Sequence, residues 1–222
     1  MEKVIHIIPT PIGNLEDITL RAIRILREVD VVLAEDTRVT KKLFKRYDIS
    51  TPLSSYHIHN EHTKTRKVIE DIKNGKMFAL VSDAGTPVIS DPGFLLVREC
   101  IKSNINVKCL PGATACIPAI IQSGITCNRF MFEGFLPIKK GRKKRIESII
   151  NSGVSTIIYE SPHRILKTLK ELGLICPNKK IVVLKELTKL YENVYTGSVF
   201  EIIELIEKST IKGEFIIILS GE

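Results

Sequence analysis

The chain is poor in the features that mark several common protein classes. Aromatic side chains make up only 6% of its 222 residues, which argues against RNA-binding modules that stack bases on exposed rings. The five cysteines form no Cys-x-x-Cys pair, so we expect buried thiols in a cytoplasmic protein rather than a disulfide framework. No apolar segment approaches the length of a membrane span. The N-terminus leads straight into a strand-like run, Val4 to Ile8, without the apolar core and cleavage site of a secretory leader.

Nucleotide-binding and catalytic signatures are missing as well. The glycines fit neither Gly-x-Gly-x-x-Gly nor a Walker motif, so binding of a dinucleotide or a nucleoside triphosphate is not supported. His57, His59 and His62 lie close together in the sequence, but they lack a fourth ligand and we expect no metal. A Ser/His/acid triad through Ser161 and His163 lacks the Gly-x-Ser-x-Gly setting that exposes a nucleophile.

Positive charge is what the chain has in excess, with a formal net charge of +8. Lys139 to Arg145 holds six cations in seven residues, and Lys41-Lys42 with Lys45-Arg46 forms a second cluster. From composition alone, two solvated helix faces explain these clusters as well as nucleic-acid binding does. The overall charge favours an anionic partner.

Apolar strand-like runs alternate with amphipathic helical stretches in the first half of the chain, which predicts βαβ units and a parallel sheet. After Pro111-Gly112 the alternation is less regular, and the short spacing of 181–185 from 193–196 predicts an antiparallel pair. We therefore predict an α/β fold in two domains, with a parallel sheet in 1–113 and a mixed sheet in 114–222. The predicted strands are 4–8, 31–34, 77–81, 107–110, 130–134, 156–159, 181–185, 193–196 and 215–220, and the predicted helices include 20–29, 63–73, 94–100, 142–150, 165–172 and 199–206.

Small turn-forming residues follow the predicted strands at the edge where open α/β sheets bind ligands. Two glycines and two prolines fall within Ser82 to Gly93, which predicts a rigid loop whose backbone a small polar molecule approaches closely. Pro9 to Leu15 is by itself a rigid turn, but beside the first loop it predicts an opposing wall of one cleft. A β-branched residue at Gly85 is then expected to block the ligand and to leave the fold largely intact.

Two acids and a guanidinium lie just past another predicted strand, at Glu35, Asp36 and Arg38. They can orient a ribose or transfer a proton. They can also simply begin a helix, since acids suit its positive end. Their placement at the ligand edge favours function.

Nine segments, taken together and in order, resemble the tetrapyrrole methylase superfamily, and within it the bacterial branch that methylates 16S ribosomal RNA on the ribose of a decoding-site cytidine. The resemblance covers nearly the whole chain. The segments are 9–15, 34–38, 56–61, 82–93, 111–115, 132–137, 159–164, 186–189 and 213–215.

The resemblance implies a two-domain α/β methyltransferase that folds S-adenosyl-L-methionine into the cleft between its domains. It also implies a cytoplasmic enzyme, usually a homodimer, that acts on 16S rRNA or on the 30S ribosomal subunit. The implied cofactor contacts are Pro11, Gly13, Asp83, Ala84, Gly85, Thr86, Ile89, Ser90, Thr114, Ala115, Tyr159, Gly213, Glu214 and Phe215.

Methyl transfer from a sulfonium needs no covalent enzyme intermediate, but a ribose hydroxyl needs a general base. The candidate bases are Glu35, Asp36, Glu160 and His163, and the sequence does not rank them. Cations are expected to hold RNA phosphates without reading the sequence, and attack by a 2′-hydroxyl confines the enzyme to RNA. The candidate phosphate contacts are Arg38, Lys139, Lys140, Arg142, Lys143, Lys144, Arg145 and Arg164.

Two other functions remain open from the sequence. One is a relative in the same superfamily that methylates a corrin-type small molecule, and the other is a non-catalytic RNA-binding protein on the same scaffold. The chain also departs from the family pattern in two places. It ends at Glu222, where many relatives continue with a helical extension, and 111–115 has Ala and Thr where a Pro-Ser pair is common.

Overall fold

Backbone contacts divide the chain into two units, Met1–Thr114 and Ala115–Glu222. A computed structural model describes residues 3–222, so Met1 and Glu2, which we expected to precede the first strand without a leader, lie outside the described residues. Across residues 3–222, no helix combines the length and apolar character needed to cross a membrane.

The first unit is a five-stranded sheet in the order β3-β2-β4-β1-β5, with every neighbouring pair parallel. Because the strands run the same way, all five end at one edge, which we call the carboxyl edge of the first sheet. The elements are β1 Val4–Ile7, α1 Leu20–Glu28, β2 Val31–Ala34, α2 Thr37–Arg46, β3 Leu53–Ser55, α3 Glu61–Lys73, β4 Phe78–Val81, α4 Phe94–Lys102 and β5 Asn106–Cys109, with a short 3₁₀ turn at Leu15–Asp17.

The central strand β4 is buried on both faces, as its apolar run predicts. Its side chains alternate, so Ala79 and Val81 pack into the core on one face and Phe78 and Leu80 into the core on the other. Thr19 begins α1 by accepting a hydrogen bond from the Ala22 N–H.

The second unit is a mixed five-stranded sheet in the order β6-β7-β10-β8-β9. Strands β6 and β7 are parallel, while β7–β10, β10–β8 and the predicted β8–β9 pair are antiparallel. The α/β class with one parallel and one mixed sheet is therefore confirmed. The elements are α5 Cys116–Gln122, β6 Phe130–Phe135, α6 Arg142–Asn151, β7 Ser155–Glu160, α7 Ile165–Ile175, β8 Ile181–Lys185, β9 Asn193–Gly197, α8 Val199–Glu207 and β10 Phe215–Leu219.

The expectation of buried cysteines is wrong for most of them. Cys100 and Cys176 are buried, but Cys109 and Cys127 are exposed and Cys116 is half-buried. Cys109 ends the outermost strand β5, which pairs only with β1. Side chains alternate between the two faces of a strand, and a strand at the edge of a sheet is less covered than a central one. An apolar run in the sequence therefore does not guarantee that a cysteine within it is buried.

Candidate active site

Three loops are bonded together at the carboxyl edge of the first sheet. Thr10 and Gly85 exchange both backbone hydrogen bonds at 2.9 Å, and the Thr10 hydroxyl donates to the Ser82 carbonyl at 3.0 Å. The Thr86 hydroxyl donates to the Ala113 carbonyl at 3.0 Å. The loops after β1 and β4 are therefore bonded directly to each other, and the segment after β5 is bonded to the loop after β4; the cleft that we expected between them stays a prediction.

The loop after β4 has a strained backbone. Val88 and Ser90 have φ of 78° and 66°, and a β-branched residue such as valine rarely adopts such values. Gly93, at φ 122°, is also closely packed, since a Cβ there would lie 2.6 Å from Leu80 Cδ2. Strain of this kind, about 1–3 kcal/mol per residue, clusters at ligand-binding segments.

Substitution of Gly85 in this loop carries a cost in stability. Gly85 has φ 87°, and a Cβ there would lie 3.3 Å from Ile12 Cγ2. A β-branched side chain therefore strains the folded protein whether or not a ligand is present. We therefore expect such a substitution to lower the stability of the folded protein as well as to block the ligand.

The carboxylates of Glu35 and Asp83 are both partly buried beside this loop. The Asp36 N–H donates to Asp83 Oδ1 at 2.9 Å, which brings the end of β2 to the loop after β4. Burial raises the pKa of Glu35, and the nearby negative charge of Asp83 raises it further. Burial likewise raises the pKa of Asp83. In the part of the chain that the structure describes, neither carboxylate forms an ion pair.

Asp36 has a different environment from its neighbour. Its Oδ1 accepts from the Arg38 N–H at 2.8 Å, so it caps α2, and its Oδ2 lies 2.6 Å from Arg38 Nη2. The hydrogen bonds from the Arg38 side chain and backbone lower the pKa of Asp36 to about 2. The helix-start interpretation is therefore correct for Asp36, and its carboxylate is a weak base. The Arg38 side chain is 87% exposed.

His57, which we considered only as a metal ligand, lies next to these acids along the sheet edge. The Tyr56 N–H donates to the Ala34 carbonyl at 2.7 Å, so the residues after β3 adjoin those after β2. The Asn60 amide oxygen accepts from the His57 N–H at 2.9 Å, which turns the amide nitrogen toward His57 Nε2 at 3.2 Å. Nε2 is then the acceptor, and the proton of the neutral ring lies on Nδ1.

Nδ1 of His57 is buried and has no hydrogen-bond partner among residues 3–222. When the ring carries a second proton, its positive charge lowers the pKa of Glu35, although burial and the charge of Asp83 outweigh this effect. The sequence carried one signal of this arrangement, an asparagine that follows His57 by three residues and directly precedes a helix. Among residues 3–222, no group of three or more His, Cys, Asp or Glu is placed to hold a metal ion.

The predicted site residues of the second unit also share one edge of their sheet. Strands β6, β7 and β8 end there and β10 begins there, so Phe215 pairs with both Glu160 and Lys185. The Tyr159 ring contacts Phe132 edge-on, with ring centroids 5.0 Å apart. Gly213, at φ 87°, packs so tightly against Glu186 that a Cβ there would overlap the carboxylate.

Glu160 does not have the freedom that a general base needs. It is 2% exposed. One carboxylate oxygen accepts from the Ser161 N–H at 2.8 Å and lies 2.7 Å from Arg164 Nη2. The other accepts from the Thr168 hydroxyl at 2.7 Å. We therefore withdraw Glu160 as a catalytic candidate, because a buried carboxylate with both oxygens bonded is a structural anchor. His163 is exposed.

The cationic run 139–145 is only partly available to RNA. Arg142 is 5% exposed and donates to Glu171, Thr168 and the Pro137 carbonyl at 2.7, 2.6 and 3.1 Å. Arg164 is held between Glu160 and the Leu136 carbonyl. Because their donors are occupied inside the protein, we withdraw Arg142 and Arg164 as phosphate contacts. Arg145 forms a two-point contact with Glu133. The exposed lysines of the run are Lys139, Lys140, Lys143 and Lys144.

A family model described as Tetrapyrrole (Corrin/Porphyrin) Methylases matches residues 4–203. The chain is 47% identical over 218 residues to ribosomal RNA small subunit methyltransferase I of Halalkalibacterium halodurans, a match that covers 98% of this chain and 75% of that protein. It is 43% identical over 222 residues to the protein of the same name from Thermotoga maritima, with both chains covered completely. The chain belongs to the tetrapyrrole methylase family, in its ribosomal RNA small subunit methyltransferase I branch.

Solved structures agree with the fold. A crystal structure of diphthine synthase matches with a TM-score of 0.76 at 13% identity, covering 98% of this chain and 90% of that one. Uroporphyrin-III-C-methyltransferase from Thermus thermophilus matches with a TM-score of 0.67 at 16% identity, covering 99% and 95%. The predicted resemblance and fold are thus confirmed, as are the enzyme class, a methyltransferase, and the cofactor, S-adenosylmethionine.

The residues at the carboxyl edge of the first sheet fit this cofactor. S-adenosylmethionine carries a sulfonium and an ammonium group, and Glu35 and Asp83 are partly desolvated carboxylates whose raised pKa values reflect burial without a paired cation. Beside them, the loop after β4 holds Gly85, Val88 and Ser90 at positive φ, a backbone strain that clusters at ligand-binding segments. The individual cofactor contacts that we assigned by resemblance stay predictions.

Proposed function

We propose that this chain transfers a methyl group from S-adenosylmethionine to the 2′-oxygen of a cytidine ribose at the decoding site of 16S ribosomal RNA. The observation that carries the proposal is identity of 43–47% along the chain to proteins named ribosomal RNA small subunit methyltransferase I. When bound, S-adenosylmethionine supplies a methyl group already activated on sulfur. We further propose that the enzyme works in the cytoplasm as a homodimer.

Glu35 is the general base that we favour. Asp36 is a weak base because Arg38 holds its pKa at about 2, and Glu160 is buried and fully hydrogen-bonded. Glu35 is partly buried, and its pKa is raised by burial and by Asp83, which strengthens it as a proton acceptor. A carboxylate in this position accepts the proton of a ribose hydroxyl as the oxygen attacks the methyl group.

Asp83 and His57 support Glu35 in this role. Burial is the main cause of the raised pKa of Glu35, and the charge of Asp83 adds to it, while a hydrogen bond from the Asp83 backbone acts in the opposite direction. The His57 ring is fixed by Asn60 with its Nδ1 proton inside the protein. A positive charge on that ring lowers the pKa of Glu35, against the larger effects of burial and of Asp83.

Exposed lysines support an RNA substrate. Lys139, Lys140, Lys143 and Lys144 lie on the surface of the second unit, where they neutralise phosphates without reading the sequence. The net charge of +8 favours such a polyanion over a small corrin-type substrate.

The test is to incubate the protein and isotopically labelled S-adenosylmethionine with 30S subunits that lack this methylation, and with free 16S rRNA in parallel. Mass spectrometry of nuclease fragments then locates the label. We expect one methyl group on the ribose of a decoding-site cytidine in at least one substrate. A methyl group on a base, label scattered over many nucleotides, or no transfer to either RNA would refute the proposal.

A further inference from the structure

Helix α2 presents a cationic stripe to solvent. Its inner side packs into the core through Thr40, Leu43 and Phe44. The opposite side carries positions i, i+3, i+4 and i+7, which share one face of an α-helix. These exposed residues are Arg38, Lys41, Lys42 and Lys45, and we call them the α2 stripe.

The lysines of the stripe have no internal partner. Across residues 3–222, Lys41, Lys42 and Lys45 form no ion pair with a carboxylate. Helix α2 contains no acidic residue that could pair with them, whereas α1 and α3 contain acids that pair with cations of their own helix, as Glu28 does with Arg24 and Glu70 with Arg66. The α2 stripe therefore differs from an ordinary solvated face, on which opposite charges alternate.

This arrangement weakens the helix that carries it. Like charges at i,i+3 or i,i+4, such as Lys41 and Lys45, destabilise a helix by about 0.2–0.5 kcal/mol per pair. Lys45 suits the negative carboxyl end of α2, but Arg38 lies at the positive amino end, where only its pairing with Asp36 offsets the helix dipole. A set of charges that destabilises its own helix indicates an external anion.

The stripe begins at the candidate active site. Helix α2 starts directly after Asp36, whose N–H is bonded to Asp83 at the carboxyl edge of the first sheet. From Arg38 to Lys45 the stripe extends about 10 Å along the helix axis. A strand of RNA with one nucleotide at that edge therefore has its neighbouring phosphates within reach of the stripe.

We infer that the α2 stripe binds the phosphates that flank the methylated nucleotide. This inference rests on the proposed function for the identity of the RNA, and it assigns a phosphate-binding role to lysines that the family resemblance did not include. The contacts are electrostatic, so they raise affinity for any RNA at low salt and add no base preference.

The test compares two double variants with equal loss of charge. Lys41→Gln/Lys45→Gln removes the centre of the stripe, and Lys67→Gln/Lys73→Gln removes two exposed, unpaired lysines from α3 of the same unit. Affinity for unmethylated 30S subunits is measured at several KCl concentrations. The slope of log Kd against log salt should fall by about 1.4–1.8 in the α2 variant, which corresponds to two lost phosphate contacts. It should stay unchanged in the α3 variant.

Equal slopes in the two variants, or no change from the unaltered protein, would overturn the inference. The binding measurement needs no methyl transfer, so it is independent of the proposed chemistry. If the two variants show the expected difference in salt slope but the unaltered protein methylates neither RNA substrate, the proposed function is wrong and the phosphate-binding role of the α2 stripe is still supported. Circular dichroism of both variants checks that the helices remain folded.

Discussion

Both sheets have partly or fully buried acids at the edge that carries the candidate site residues, but Glu160 and Glu186 of the second sheet are paired with cations. At the carboxyl edge of the first sheet, Glu35 and Asp83 are partly buried without ion pairs, and burial raises the pKa of each. At the edge of the second sheet, Glu160 is bonded to Arg164. Burial alone raises the pKa of Glu186 there, yet the hydrogen bonds from Lys189 and the Glu214 backbone bring it below its ordinary value.

Backbone strain does not separate the two edges. Val88 and Ser90 adopt left-handed conformations in the first unit, and Glu186 and Thr188 do so in the second, with φ of 53° and 64°. What separates them is charge neutralisation. Acids without paired cations are available for a proton or a cationic cofactor, whereas neutralised acids hold loops in place. The difference supports our proposal that the chemistry takes place at the first edge and that the neutralised acids of the second edge are structural.

The largest effect is expected where a buried pair is broken in the second unit. Arg142→Met leaves Glu160 and Glu171 without that guanidinium, and we expect a loss of about 3 kcal/mol in the free energy of unfolding. Arg24→Met removes an exposed i,i+4 pair with Glu28 and should cost less than about 0.5 kcal/mol. Urea unfolding measures both, and similar losses would mean that the buried Arg142 contributes no more to stability than the exposed Arg24.

Alanine at two left-handed glycines gives an intermediate effect. Gly85→Ala and Gly124→Ala both place a side chain at positive φ, but only the Cβ at Gly85 has close neighbours, while that at Gly124 meets nothing within 4 Å. Each should lose about 1–2 kcal/mol in stability from backbone strain. We expect only Gly85→Ala to weaken binding of S-adenosylmethionine in calorimetry. Equal cofactor affinity in the two variants would remove the loop after β4 from the cofactor site.

The smallest effect is expected on which nitrogen of the His57 ring carries the proton. Asn60 fixes His57 with its proton on Nδ1, whereas a free imidazole is not held to that tautomer. In Asn60→Ala, ¹⁵N NMR of the His57 ring should therefore show a shift of the tautomer population toward Nε2–H, and stability should fall by about 1 kcal/mol. His59, which is exposed, serves as the internal control. A His57 ring that is mainly Nε2–H in the unaltered protein would exclude the arrangement.

Periodicity was enough to predict most of the fold because strands such as β4 are apolar throughout and the helices between them are amphipathic. It missed β3, a three-residue strand with two serines that is only half-buried. It also missed α5, which contains Pro118. Both elements depend on neighbours that are distant in the sequence, and local propensity does not record them.

The candidate site was predictable as a set of loops but not as a set of roles. Glu35 and Asp36 are adjacent acids in the sequence, yet one is partly buried without a cation and the other caps a helix against Arg38. Arg142 belongs to a surface-like basic run, yet it points inward to Glu171 and Thr168. The position of a residue around its helix, together with its partners elsewhere in the chain, decides whether it faces inward. Sequence spacing alone does not reveal those partners.

Glu35→Gln separates catalysis from stability. A raised pKa in the folded state means that protonated Glu35 stabilises the protein at low pH and that this contribution is lost as the pH rises through the folded pKa. Glutamine has no charge to desolvate, so at pH 7–8 the variant should be at least as stable as the unaltered protein. A clear fall in its Tm would show that Glu35 has a structural role.

The most direct test of the account is the pH profile of single-turnover methyl transfer to 30S subunits by the unaltered protein and by Glu35→Gln. With Glu35 as the base, the rate should rise with pH through the raised Glu35 pKa and then level off. The variant should be about 10²–10⁴-fold slower, without that rise. A variant that transfers methyl groups at the original rate, with the same pH profile, would contradict the assignment of chemistry to the first edge.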